Sequence, residues 1–118
     1  MKRFYRHTTY KTDHLSLEDK IDLLKDAKEA SYSWQIDILD CNVSFARQKI
    51  EMEFEEALKK CSTESFLSVI HRRGYEERKW HLEVCLSTMT SPDYFLWIFV
   101  PEDKIEELVN KYNLKVMQ

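Results

Sequence analysis

"YSWQIDILDCNVSFARQKIEMEFEEALKKC", residues 32–61, can be read with two different periods, and the choice between them decides how the whole chain folds. Tyr32, Trp34, Ile36 and Ile38 alternate with Ser33, Gln35 and Asp37, which is the period of a half-buried strand. Tyr32, Ile36, Leu39, Val43, Ala46, Ile50, Phe54, Ala57 and Cys61 also recur at spacings of three and four, the stripe of an amphipathic helix. From Ala46 onward, "ARQKIEMEFEEALKK" consists almost entirely of strong helix formers. Lys49 with Glu53, Glu55 with Lys59, and Glu56 with Lys60 are pairs of opposite charge one helical turn apart. No glycine or proline interrupts residues 1 to 73. The pattern therefore predicts one long helix from about Ser33 to Cys61, with a strand over 32–39 as the alternative.

Upstream, Ser16 can cap a helix whose first turn holds Glu18 and Asp19, where acidic groups suit the positive end of the dipole. Leu17, Ile21 and Leu24 give it an apolar face, and it is expected to end near Ala30. Residues 1–13 interleave Lys2, Arg3, Arg6 and Lys11 with Phe4, Tyr5 and Tyr10, forming either a mobile basic arm or a first strand.

Downstream the signal changes. "FLSVIH" (66–71), "ERKWHLEVCL" (77–86) and "YFLWIFV" (94–100) are short and rich in β-branched and aromatic residues. They are bounded by Gly74 and by the turn "TSPD" (90–93), and read as three antiparallel strands. In "HRRGYEERKW" (71–80) Gly74, the only glycine in the chain, fits a hairpin turn, with the surrounding charges at a solvated tip. Pro101 suits the start of a helix that continues through Glu102 and Asp103 to Tyr112, with Ile105, Leu108 and Val109 on its apolar face. Asn113 is a plausible left-handed cap, and "LKVM" (114–117) a last strand. The fold expected is α+β, one domain over residues 1–118. It has two layers: a small antiparallel sheet of three or four strands, mostly from the C-terminal half, packed against N-terminal helices and a C-terminal helix.

Composition narrows the function. With 43% hydrophobic and 33% charged residues in 118, the chain has enough apolar surface to build a core. Eighteen Lys and Arg against 21 Asp and Glu give a net charge of -3, so no global positive field draws it to phosphate or anionic lipid. No stretch approaches the roughly 18 apolar residues of a membrane span, and "MKRFYRHTTYK" has no apolar core behind its basic start, so a cytoplasmic protein is expected. Cys41, Cys61 and Cys85 are odd in number and lack a C-x-x-C pair, which favours free thiols over a disulfide framework. One glycine cannot build a phosphate-binding loop, and G-x-S-x-G, H-E-x-x-H and calcium-loop patterns are absent, so no cofactor is expected and no small-molecule ligand is identifiable from the sequence.

Three readings of function follow. In "YFLWIFV", Tyr94, Leu96, Ile98 and Val100 share one strand face while Phe95, Trp97 and Phe99 share the other, so neither face has a polar side to turn to water. Phe95, Trp97 and Phe99 are thus candidate interface residues. The leading expectation is a non-catalytic protein-interaction or adaptor module whose partner is another protein or a second copy in a homodimer. The alternative is a nucleic-acid-binding protein gripping phosphate with Lys2, Arg3 and Arg6 of the arm and Arg72, Arg73, Arg78 and Lys79 of the hairpin; Glu76 and Glu77 in the same cluster oppose it. The third is a small metal-dependent hydrolase. His81, Glu83 and Cys85 alternate on one strand face and are competent zinc ligands, with His71 as a further donor if the register brings it near.

Overall fold

The structure, a computed structural model, describes residues 7–40, 46–60, 66–73, 80–87 and 92–116; for residues 7–8, 66–73 and 80–87 it describes the backbone alone. The chain is α+β. Its elements run β1 (His7–Lys11), α1 (Leu17–Ala30), β2 (Ser33–Leu39), β3 (Gln48–Ile50), α2 (Phe54–Lys60), β4 (Phe66–Arg73), β5 (Trp80–Ser87), β6 (Asp93–Pro101), α3 (Glu102–Lys111) and β7 (Lys115–Val116).

Local chemistry sets the helix ends where the sequence places them. The Ser16 hydroxyl accepts from the Asp19 backbone N–H at 3.1 Å, satisfying one of the donors left open at the start of α1. Glu18 and Asp19 lie in that first turn and Lys28 in the last, each at the end of the dipole that favours its charge. α3 follows Pro101 directly, and Asn113 just past its end takes φ 51°, a left-handed conformation that asparagine tolerates better than most residues.

The described strands form one sheet in the order β3-β2-β6-β5-β4-β1-β7, and every pairing is antiparallel. The three strands expected of the C-terminal half are its centre. The sheet is wider than the three or four strands expected, because β2 joins one side of the centre and β1 the other, while the short β3 and β7 add the two edges. The first segment, read as arm or strand, is a strand from His7 onward, with Tyr10 opposite both Val69 and Val116. Gly74 and the rest of the β4–β5 connection lie outside the described residues; Arg73 pairs with Trp80 on either side of it.

The core lies on one face of the sheet. Leu23, Leu24 and Ala27 of α1, Phe54, Ala57 and Leu58 of α2, and Ile105 and Leu108 of α3 pack with Ile36, Leu96, Ile98 and Val100 of the strands. Leu23, Leu24, Leu96, Ile98 and Val100 are fully buried, each contributing about 1.5–3 kcal/mol of transfer free energy. Trp34 meets Phe54 edge-on with ring centroids 5.1 Å apart, which seats α2 on the β2 side of this layer.

The long helix over 33–61 does not form. Its first part is β2, its middle holds the edge strand β3, and among its described residues only Phe54–Lys60 is helical. The reason is tertiary. As a strand, residues 33–39 pair along their whole length with β6, from Ser33 opposite Phe99 to Leu39 opposite Asp93. That pairing satisfies the backbone and buries Ile36 between Leu96 and Ile50, gains that outweigh the modest helix propensity of a segment rich in Trp and Ile.

Candidate functional site

All three helices pack on one side of the sheet; among the described residues no helix covers the other. Alternation along β6 divides its residues between the two. Leu96, Ile98 and Val100 enter the core, and Phe95, Trp97 and Phe99 stand on the helix-free side, as read from the sequence.

The surface around these rings is built from residues that are distant in sequence. Phe95 is only 7% exposed because the Arg47 guanidinium lies over it, 4.0 Å from the ring centroid and 5.8 Å from that of Trp97. Trp97 is half-buried, and its Nε1–H donates to Asp37 Oδ2 at 3.0 Å. Gln35 Nε2 donates to the other oxygen of the same carboxylate at 3.1 Å, so Asp37 is held between two donors and fixes the plane of the indole. Phe99 is half-buried against Tyr32, with centroids 6.4 Å apart, and Tyr32, whose N–H donates to the Phe99 carbonyl at 3.0 Å, is 61% exposed. Lys49 stands opposite Asp37 on the edge strand β3 and is exposed. The result is a row of four aromatic residues rimmed by two cations and a hydrogen-bonded carboxylate. Among the described residues no acid–base or nucleophilic constellation accompanies them.

The other candidate residues are placed as follows. Lys2, Arg3, Arg6, Arg78 and Lys79 lie outside the described residues, and Arg72 and Arg73 are described by backbone alone. Pairing of β1 with β4 puts His7 opposite Arg72, so β1 begins beside the end of β4. His81, Glu83 and Cys85 occupy alternate positions of β5 opposite Arg72, Ile70 and Ser68, with their side chains outside the description. His71 stands opposite Leu82, one residue out of step with those three. The register thus separates it from them by strand alternation, and it cannot complete their set.

A second polar cluster sits on the helix side, around a cavity of about 470 Å³ lined in part by His14, Asp19, Asp22, Asp26, Lys111 and Tyr112. Tyr112 Oη donates to Asp26 Oδ2 at 2.5 Å, Lys111 Nζ reaches the same oxygen at 2.7 Å, and His14 Nε2 lies 3.0 Å from the Tyr112 carbonyl. Burial pushes the Asp26 carboxyl up, but hydrogen bonds from Lys111 and Tyr112 and the Lys111 charge outweigh it and hold the group below its ordinary value. Burial first, and then the hydrogen bond and charge of Asp26, push the Tyr112 phenol well above the usual tyrosine range. The carboxylate is spent on these bonds, so the cluster is a clamp joining α1 to the end of α3.

Sequence reasoning found Phe95, Trp97 and Phe99 and missed Arg47, Asp37 and Gln35. Gln35 and Asp37 were legible as the polar half of the strand alternation in "SWQIDIL", whereas nothing in the sequence marks Arg47 as the cover of a ring almost fifty residues away. No protein family, curated protein or solved structure matches this chain.

Proposed function

We propose that this chain is a non-catalytic protein-interaction module, an adaptor that works in the cytoplasm through the helix-free face of its sheet. The observation that carries the reading is the cluster of Tyr32, Arg47, Trp97 and Phe99 on a sheet face that no described helix covers. Trp, Tyr and Arg are the residue types that supply most of the binding energy at protein interfaces, because each offers a large rigid surface together with a polar group that can be satisfied by the partner. The Trp97–Asp37 bond holds its ring in place before any partner arrives, which lowers the ordering entropy that association costs. An odd set of three cysteines without a C-x-x-C pair supports the reducing compartment.

A second reading, binding of a single-stranded nucleic acid, is favoured by one feature. The His7–Arg72 pairing sets the first described residue, which follows the basic stretch of the sequence, opposite the basic end of β4. Asp37 and the net charge of -3 weigh against it.

The test is co-purification from the source cell with the wild-type chain, with Tyr32→Lys/Trp97→Lys, and with the helix-face variant Lys20→Glu, each shown by circular dichroism to be folded. A partner held by the wild type and by Lys20→Glu but lost with the double variant supports the reading. A partner lost only with Lys20→Glu places the working surface on the helices and refutes it.

A further inference from the structure

The net charge of -3 conceals a separation by layer. The three helices hold eleven acidic against seven basic residues, whereas the seven strands hold three acidic against five basic. The excess of acid therefore lies with the helices and the sheet carries the opposite sign. On the helix-free face strand alternation places all three strand acids, Asp37, Asp93 and Glu83, the last opposite Phe99, and Asp37 is already engaged by Trp97 and Gln35. Arg47 and Lys49, both exposed, make no ion pair among the described residues. Arg47 is also held in position, its guanidinium 4.0 Å from the centre of the Phe95 ring while the residue stays exposed, and a guanidinium is suited to pairing with a planar carboxylate. Lys11 and Lys115, opposite each other where β1 meets β7, continue the positive sign at the far edge of the sheet.

From this charge pattern we propose that the helix-free face takes an acidic protein segment. Its carboxylates meet Arg47 and Lys49 while its apolar side chains lie on Tyr32, Trp97 and Phe99. This rests on the reading of that face as a protein-interaction surface and names the chemistry of the partner. A second copy of this chain is disfavoured, because a two-fold contact of the face with itself brings basic rims together. A nucleic acid is disfavoured because its dense charge must also approach Asp37 and Glu83, whose strand positions share this face. An acidic peptide carries less charge per unit length and can place apolar side chains on the rings.

The experiment uses the full chain at low salt and a short blocked peptide rich in glutamate with a pair of leucines. The controls are the same peptide with lysine at every glutamate position, and a single-stranded oligonucleotide. The readout is the NMR signal of the Trp97 indole N–H, assigned with Trp97→Phe. The glutamate peptide is expected to shift this signal with an affinity about tenfold higher than the lysine peptide, and to weaken several-fold as salt shortens the Debye length below about 10 Å. Arg47→Gln is expected to lose most of that preference. Lys49→Glu, which leaves the Arg47–Phe95 stack in place, is expected to narrow or reverse it. Equal affinities for the two peptides, or an oligonucleotide bound more tightly than the glutamate peptide, would overturn the acidic partner and leave the face as a binding surface. A Trp97 signal that moves with protein concentration alone identifies a second copy instead. A signal that no probe and no concentration moves sinks both the acidic partner and the face.

Discussion

The indole N–H of Trp97 reaches across the β2–β6 pair to Asp37 Oδ2 at 3.0 Å, although the two residues are sixty positions apart in the chain. This bond makes the aromatic row a fixed surface. Trp97→Phe keeps a ring but leaves one oxygen of Asp37 without its donor, and should cost about 1 kcal/mol in urea unfolding. Asp37→Asn should cost less, since an amide oxygen can still accept from the indole. A Trp97→Phe protein as stable as the wild type would mean that the bond does not hold the ring.

The Asp26–Tyr112 clamp predicts a pH profile. Asp26 is held below its unfolded value, so its contribution to stability is present above about pH 4 and is lost as pH falls through the folded value. Tyr112 is raised above its unfolded value, so its contribution is full below about pH 10 and declines as pH climbs beyond. Asp26→Asn should therefore lower the melting temperature at pH 7, with the difference from wild type closing under acid. Tyr112→Phe should cost about 1 kcal/mol at neutral pH, because the acceptor is partly exposed, and should flatten the alkaline limb. Parallel melting profiles for wild type and Asp26→Asn across the acid range would contradict the assignment.

Asn113 turns the chain from α3 into β7 with φ 51°. Asn113→Gly should match or slightly exceed the wild type in stability, since glycine adopts this conformation without strain. Asn113→Val should cost roughly 1–2 kcal/mol, because a β-branched side chain clashes in the left-handed region. Chemical denaturation of the two variants decides it; equal stability would place the turn elsewhere.

The start of α1 offers a local test. Ser16→Ala removes the acceptor for the Asp19 N–H and should cost about 1 kcal/mol, while Ser16→Asp should restore it. Amide hydrogen exchange at Asp19 and Lys20 should accelerate in the alanine variant alone.

What could be read in the sequence was what local chemistry decides. Ser16, the acidic first turn and the apolar spacing gave α1 to its last residue, and Pro101 and Asn113 bracketed α3, because capping and left-handed turns depend on neighbouring residues only. Residues 32–39 could not be read in the same way. Both periods fit them, and the strand wins through β6, whose first partner in the ladder, Phe99 opposite Ser33, stands sixty-six positions downstream. The aromatic triplet of the candidate site was visible as an alternation within one strand. Its cover was not: the helix expected over 46–61 gave Arg47 no reason to reach Phe95.

The strand order bears on how the chain is born. Residues leave the ribosome from the N-terminus, yet β1 and β2 have their main partners, β4 and β6, in the second half of the sequence. Until those strands emerge, the first half holds α1, α2 and three strands, of which β1 and β2 have exposed hydrogen-bonding edges, and the ladder is closed only when Val116 meets Tyr10. Contacts of such long sequence separation form slowly, and unpaired edges invite other nascent chains. Yield during synthesis is therefore expected to depend on how long those edges stay unpaired as well as on the stability of the finished sheet.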